Sequence, residues 1–187
     1  NYIVYKWISM NQTANKYHMR DEIGEQPAVF ELLVDKYIKG TKVESENFTN
    51  HLEKLKNIER VTFIGCGSSF NAGLLGNYIF EEITGLPCEY EFADEFVDRN
   101  PVIEFGTTFI ALSQSGETGD TLTAVKHARE SGAFIISITN SPGSELSKLS
   151  HLHLYAEAGE EKGIEATKSY TATVVLELIL ALVIAQE

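Results

Sequence analysis

Apolar residues along this chain follow two patterns that alternate. Unbroken runs, as in Val61-Thr62-Phe63-Ile64, Phe109-Ile110-Ala111-Leu112 and Phe134-Ile135-Ile136, are separated by stretches where apolar positions return every three or four residues. Unbroken runs suit parallel strands covered on both faces, and spaced ones suit amphipathic helices. This reading predicts strands at 61–64, 88–92, 108–112, 133–139 and 152–156. It predicts helices at 27–39, 45–57, 71–82, 120–130, 144–148 and 167–186, with a helical turn at 93–99. The expected inward faces are Phe30, Leu33, Val34 and Tyr37 on the first helix, Phe48, Leu52 and Leu55 on the second, and Leu74, Leu75, Tyr78 and Ile79 on the third. Gly40, the Gly85/Pro87 pair and Asn140-Ser141-Pro142-Gly143 punctuate the pattern. Tyr2 to Met10 has strand character, and Asn11 to Lys16 reads as a linker. The sum is an α/β fold: a three-layer sandwich with a five-stranded, mainly parallel sheet flanked by helices.

Two strand-to-helix turns carry candidate chemistry. Ser113-Gln114-Ser115-Gly116-Glu117-Thr118 follows the 108–112 strand and precedes a helix. It offers short hydroxyls and backbone N–H groups at the positive end of that helix, which suits a phosphate. Gly65-Cys66-Gly67-Ser68-Ser69-Phe70 stands in the same position after the 61–64 strand. Either loop alone reads equally well as a polar turn with a helix cap. Together they suggest one anionic ligand clamped from two strand ends, since ligands of open parallel sheets sit outside the carboxyl ends of the strands. The upstream loop falls short of the dinucleotide fingerprint, because Phe70 occupies the place of the third glycine. No cofactor is expected.

These residues carry a family resemblance. The chain resembles the first sugar-isomerase (SIS) half of the glucosamine-6-phosphate synthases, the glutamine–fructose-6-phosphate aminotransferases. The matching stretches, in the family's order, are Tyr17-His18-Met19-Arg20-Asp21-Glu22-Ile23-Gly24-Glu25-Gln26-Pro27, Cys66-Gly67-Ser68-Ser69-Phe70, Ser113 to Thr118, and Ala166-Thr167-Lys168-Ser169-Tyr170-Thr171. The resemblance implies that residues 1–15 are a linker or the end of an upstream glutaminase-like domain, and 16–187 an SIS domain with a helical N-terminal segment. It implies sugar-phosphate contacts at Ser68, Ser69, Ser113, Gln114, Ser115 and Thr118, with Ser69, Ser113, Ser115 and Thr118 as phosphate donors. It also implies backbone contacts to the sugar near Ile164 and Ala166, although Glu165 stands where the family has a small residue. The family's base, its ring-opening group and its lysine lie in the second SIS half and the tail. The expectation is therefore a piece with no catalytic residue of its own, which binds substrate and does not turn it over alone. The same resemblance leaves two other readings: a stand-alone phosphosugar isomerase, and a non-enzymatic sugar-phosphate sensor. A sensor would carry a basic DNA-binding helix, and the sequence shows none.

Composition narrows the partners. A formal net charge of −12 argues against nucleic acid and against an anionic membrane surface. A local nest of N–H groups still permits a small anion. Val174 to Ala185 is nearly all apolar but carries Glu177, and its length suits a core helix better than a membrane span. Cys66 and Cys88, expected to be unpaired, fit a reducing cytoplasm. His151 and His153 would share a strand face, but no third ligand stands nearby, so a strand-edge pair is expected and no metal. Glu160-Glu161 and Glu165 read as a solvated acidic loop, and Lys168 as a surface or structural lysine. The expected partners are a sugar phosphate and either a second SIS half or a like copy in a homodimer.

Overall fold

The computed structural model describes residues 18–186; the strand character of Tyr2 to Met10, the linker and the 1–15 boundary lie outside them. The main sheet consists of β3 (Arg60–Gly65), β4 (Cys88–Phe92), β5 (Thr107–Ser113), β6 (Phe134–Thr139) and β7 (Leu152–Tyr155). Its order is β4-β3-β5-β6-β7 with every neighbour parallel. A small antiparallel ribbon, β1 (Ile38–Lys39) and β2 (Lys42–Val43), stands apart. The helices are α1 (His18–Tyr37), α2 (Glu46–Lys56), α3 (Ser68–Thr84), α4 (Ala93–Arg99), α5 (Gly119–Glu130), α6 (Glu145–Leu149) and α7 (Lys168–Ala185). The sandwich with a five-stranded sheet is as expected; that sheet is wholly parallel.

Strand alternation divides the core in two. Val61, Phe63, Ile110, Leu112, Ile136, Ile138, Leu152 and Leu154 point to the layer of α1, α2, α3 and α7. Ile64, Phe109, Ala111 and Ile135 point to the layer of α4, α5 and α6. After β3 the chain moves outward to β4, then crosses back to β5 on the other side of β3. The turns leaving β3 and β5 therefore diverge into opposite layers from adjacent strand ends, where Gly65 pairs with Leu112. This is the topological switch point of a doubly wound sheet, the place where such sheets bind ligands.

Two helices differ from the periodicity reading. On α3 the buried face is Ala72, Gly73, Gly76, Asn77 and Phe80, while Leu75 and Tyr78 are exposed. The cause is close approach. A Cβ on Gly73 would lie 3.0 Å from the Phe63 Cβ, and one on Gly76 would lie 2.8 Å from both the Phe63 ring and the Glu177 carboxyl. Small residues let α3 settle onto β3 and α7, so the bulky ones turn outward. The helix read as 27–39 runs from His18 to Tyr37, with Pro27 inside it and Phe30 exposed. Pro27 has no N–H to give the Ile23 carbonyl, and the Gln26 side-chain amide donates to that oxygen instead, at 3.3 Å. Gly40, at φ 64, turns the β1–β2 ribbon rather than ending the helix.

The apolar α7 packs in the core, as its pattern predicts, with Ala172, Leu176, Ile179, Leu180 and Val183 buried. Glu177 on this helix is fully buried, and neither carboxylate oxygen has a partner among the described residues. Burial pushes its pKa well above the ordinary carboxylate value, which favours the neutral acid.

Candidate functional site

The turn after β3 runs through Gly67 at φ 56 straight into α3, whose first turn holds Ser68 and Ser69 and no acidic residue. The positive end of the α3 dipole is thus left uncompensated by its own side chains. Ser68 is exposed and Ser69 half-buried. The Phe70 ring, which displaces the dinucleotide glycine, stacks on Phe92 with centroids 3.5 Å apart and ties the start of α3 to the edge strand.

The turn after β5 is braced from within. Ser113 is buried, its oxygen accepts the Gly116 N–H at 3.0 Å, and it lies 3.0 Å from the Thr118 hydroxyl. The Ser115 hydroxyl oxygen accepts the Glu117 N–H at 3.2 Å. Gly116, at φ 67, passes so close to the next turn that a Cβ there would sit 2.2 Å from the Ser144 hydroxyl. The Gly116 carbonyl accepts the Leu146 N–H and the Gln114 carbonyl accepts the Asn140 N–H, which lock the loop to the turn after β6. The Glu117 carboxylate caps α6 through the Glu145 N–H at 2.9 Å.

Ser68, Ser69, Gln114 and Ala166 line one recess at these strand ends, joined by Ala72 and by Ser169, Tyr170 and Thr173 of α7. Ser113, just before Gln114, and Ser115 and Thr118, just after it, do not line it. Ile164 is 98% exposed and stands outside. The α7 residues were missed by sequence reading; their signal is a run of hydroxyls at the start of a helix. A roomier cavity of about 160 Å³ lies on the other side of the sheet, between Arg60, Glu89, Glu91 and Glu104. Its three carboxylates repel a phosphate, and the hydroxyl loops do not reach it.

The acidic loop before α7 is not simply solvated. Glu161 accepts hydrogen bonds from the Thr167 N–H at 2.9 Å, the Thr167 hydroxyl at 3.0 Å, the Ser169 N–H at 3.3 Å and the Ser169 hydroxyl. Burial alone would raise its pKa, but the bonds from Ser169 and Thr167 outweigh that and hold it below the ordinary value. From α1, the buried Glu22 carboxylate accepts the Lys162 and Gly163 N–H groups. Lys168 is buried and paired with Glu25, a structural role.

His151 and His153 brace the edge strand. His151 Nδ1 accepts the Ile135 N–H at 2.9 Å, and His153 Nδ1 lies 3.0 Å from the Ser137 hydroxyl. Burial holds both below the usual imidazole range. Among the described residues no cluster of His, Cys, Asp and Glu has the makings of a metal site. Cys66 and Cys88 are unpaired. Burial, with Glu81 nearby, pushes the Cys88 thiol up to about 12, so it is inert as a nucleophile.

Fold and site together define a doubly wound α/β domain with paired hydroxyl-bearing loops at its switch point. The chain belongs to the SIS domain family, whose model matches residues 54–185. It is 40% identical over 172 residues to the glutamine–fructose-6-phosphate aminotransferase [isomerizing] of Mycobacterium bovis, a match covering 91% of this chain and 27% of that protein. The protein of the same name from Clostridium acetobutylicum is 34% identical over 187 residues, covering 100% of this chain and 31% of its own length. Among solved structures, the C-terminal domain of glucosamine-fructose-6-phosphate aminotransferase from Francisella tularensis matches with a TM-score of 0.86 at 30% identity, covering 94% of this chain and 49% of that one. The chain thus spans under a third of the length of these curated relatives.

Proposed function

We propose that this chain is the substrate-holding SIS part of a glutamine–fructose-6-phosphate aminotransferase, and that it binds a sugar phosphate, fructose 6-phosphate or glucosamine 6-phosphate, across its switch point. The observation that carries the reading is the pairing of the two loops. In a protein of net charge −12, two serine-bearing turns leave adjacent strand ends, one of them opening a helix with no acidic residue in its first turn. In this reading Ser69, Ser115 and Thr118 donate to the phosphate, while the buried Ser113 holds the loop in shape and reaches the ligand through its shared hydrogen with Thr118. Ser68 and Gln114 face the sugar, together with the backbone around Ile164 and Ala166.

Moving a proton between two sugar carbons needs a positioned carboxylate base and an acid for ring opening. A lysine would act at the ketone carbon. The proposal assigns these to a second SIS half and gives this chain no catalytic residue, only the binding of the phosphate end. A like copy related by a two-fold axis is the nearest equivalent of that half. A reducing cytoplasm is the proposed compartment, supported by the two unpaired thiols.

Calorimetric titration tests the reading. Fructose 6-phosphate should bind at least about tenfold more tightly than fructose, a difference of roughly 1.4 kcal/mol. Equal affinity for the two would reject it.

A further inference from the structure

We propose that Glu22 is a positioning residue for the sugar side of this site: its carboxylate, reaching from α1, holds the loop that carries Ile164 and Ala166. The proposal rests on the phosphosugar reading above and adds to it a residue remote in sequence from every loop in the recess.

The geometry is that of an internal anion nest. Two successive backbone N–H groups, of Lys162 and Gly163, converge on the Glu22 carboxylate, which is 4% exposed. Successive amides turned to one side form an anion-binding concavity. Here the anion comes from the protein itself, 141 residues upstream of Gly163. The fit is close. A Cβ on Gly163 would lie 2.6 Å from the Glu22 Oε2, so the position is limited by space, not by backbone conformation.

The contact belongs to a row. Glu22, Glu25 and Gln26 lie on one face of α1 by their spacing. Glu25 pairs with Lys168, and the Gln26 side-chain amide oxygen accepts the Thr171 hydroxyl. Glu161 grips the first turn of α7 from within the loop. One carboxylate from α1 and one from the loop thus fix both sides of the segment 162–167. The division of donors is informative. Glu22 takes the amides of Lys162 and Gly163, whereas those of Ile164, Glu165 and Ala166 donate to no described residue. The clasp orients these three amides, next to the recess that Ala166 lines.

Titrations of the full chain with fructose 6-phosphate and with inorganic phosphate decide the matter, using Glu22→Gln, Glu22→Ala and Gly163→Ala. Gly163→Ala crowds the same contact from the loop side and leaves α1 intact. Glu22→Ala and Gly163→Ala should weaken fructose 6-phosphate about tenfold. Glu22→Gln, which keeps the size but one acceptor oxygen, should fall between. Inorganic phosphate should bind all four proteins equally, because the phosphate loops are untouched. Amide exchange at Lys162 and Gly163 should quicken in Glu22→Ala. Unchanged fructose 6-phosphate affinity in both disruptive variants overturns the proposal, as does a parallel loss of inorganic phosphate, which would mark a general structural role. If the unaltered chain binds neither ligand, the phosphosugar reading falls. The exchange arm then stands alone: unchanged exchange in Glu22→Ala overturns the clasp, and selective quickening upholds it.

Discussion

Ser115 and Ser113 look alike in sequence and have different environments. Ser115 and Thr118 are half-buried at the surface of the second loop, while Ser113 is buried with its oxygen already accepting the Gly116 N–H. Ser115→Ala and Thr118→Ala should each weaken fructose 6-phosphate by about 1.5–3 kcal/mol, the worth of a hydrogen bond to a charged group, with little change in urea midpoint. Unchanged affinity in both would move the phosphate off this loop. Ser113→Ala should show the opposite balance. It strands the Gly116 N–H, so it should cost about 1–3 kcal/mol of stability, visible as a lower midpoint even without ligand. The sequence displayed all these hydroxyls and their order. It did not show which of them brace the loop, because that depends on the Gly116 turn pressing against Ser144, a residue of the next βα connection. Glu161 was misjudged for a similar reason. Its four donors lie six to eight residues ahead, and only the fold of the loop brings them to one carboxylate.

At the level of elements, strands were more legible than helix faces. A parallel strand buried on both sides is a continuous apolar run, so Phe109 to Leu112 and Phe134 to Ile138 stand out from their surroundings. Helix faces depend on what they meet. On α3 the glycines that allow contact with Phe63 and Glu177 carry no apolar signal, and the eye follows Leu75 and Tyr78 to the wrong side. Glu177 itself was visible as the one charge in the apolar run Val174 to Ala185, but its lack of a partner was not. Its folded pKa lies above its unfolded value, so the folded state binds the proton more tightly. Its contribution to stability is full below the unfolded pKa and is lost as pH rises toward the folded one. His151 and His153 act with the opposite sign: both are lowered in the fold, so stability is lost as pH falls below the ordinary imidazole value. Glu177→Gln should therefore remove the share of the loss on rising pH that Glu177 causes, leaving that of the raised Cys88 thiol, and keep the acid side as it was. Glu177→Met, linear enough for the space between Gly76 and Phe63, should raise stability by about 1–3 kcal/mol at neutral pH by removing an unpaired buried polar group. Urea unfolding across pH measures both, and a destabilised Glu177→Met would mean that the carboxyl has a partner after all.

At the scale of the whole molecule, one helical layer leaves several large apolar side chains in the open. Ile23 and Phe30 of α1, Leu75 and Tyr78 of α3, and Leu178 and Leu182 of α7 are all exposed, and these three helices belong to the same layer. Large apolar surfaces of this kind mark association. A stable interface takes roughly 800 Å² from each partner. Self-association through this layer is therefore the expected behaviour, as a symmetric dimer in which the copy stands in for a second SIS half. Light scattering after size exclusion should give twice the 20.8 kDa of the single chain. Charge adds a sign to the prediction. Each copy carries −12, so bringing two together costs repulsion that salt screens. The dimer should tighten between low and physiological ionic strength, the reverse of an assembly held by opposite charges. Tyr78→Glu combined with Leu182→Glu should return the chain to monomer without altering its affinity for inorganic phosphate, because neither residue belongs to the two hydroxyl-bearing turns. A monomer at all concentrations and salts would leave the apolar layer to some other partner, and a dimer that loosens with added salt would place the contact on a charged surface instead.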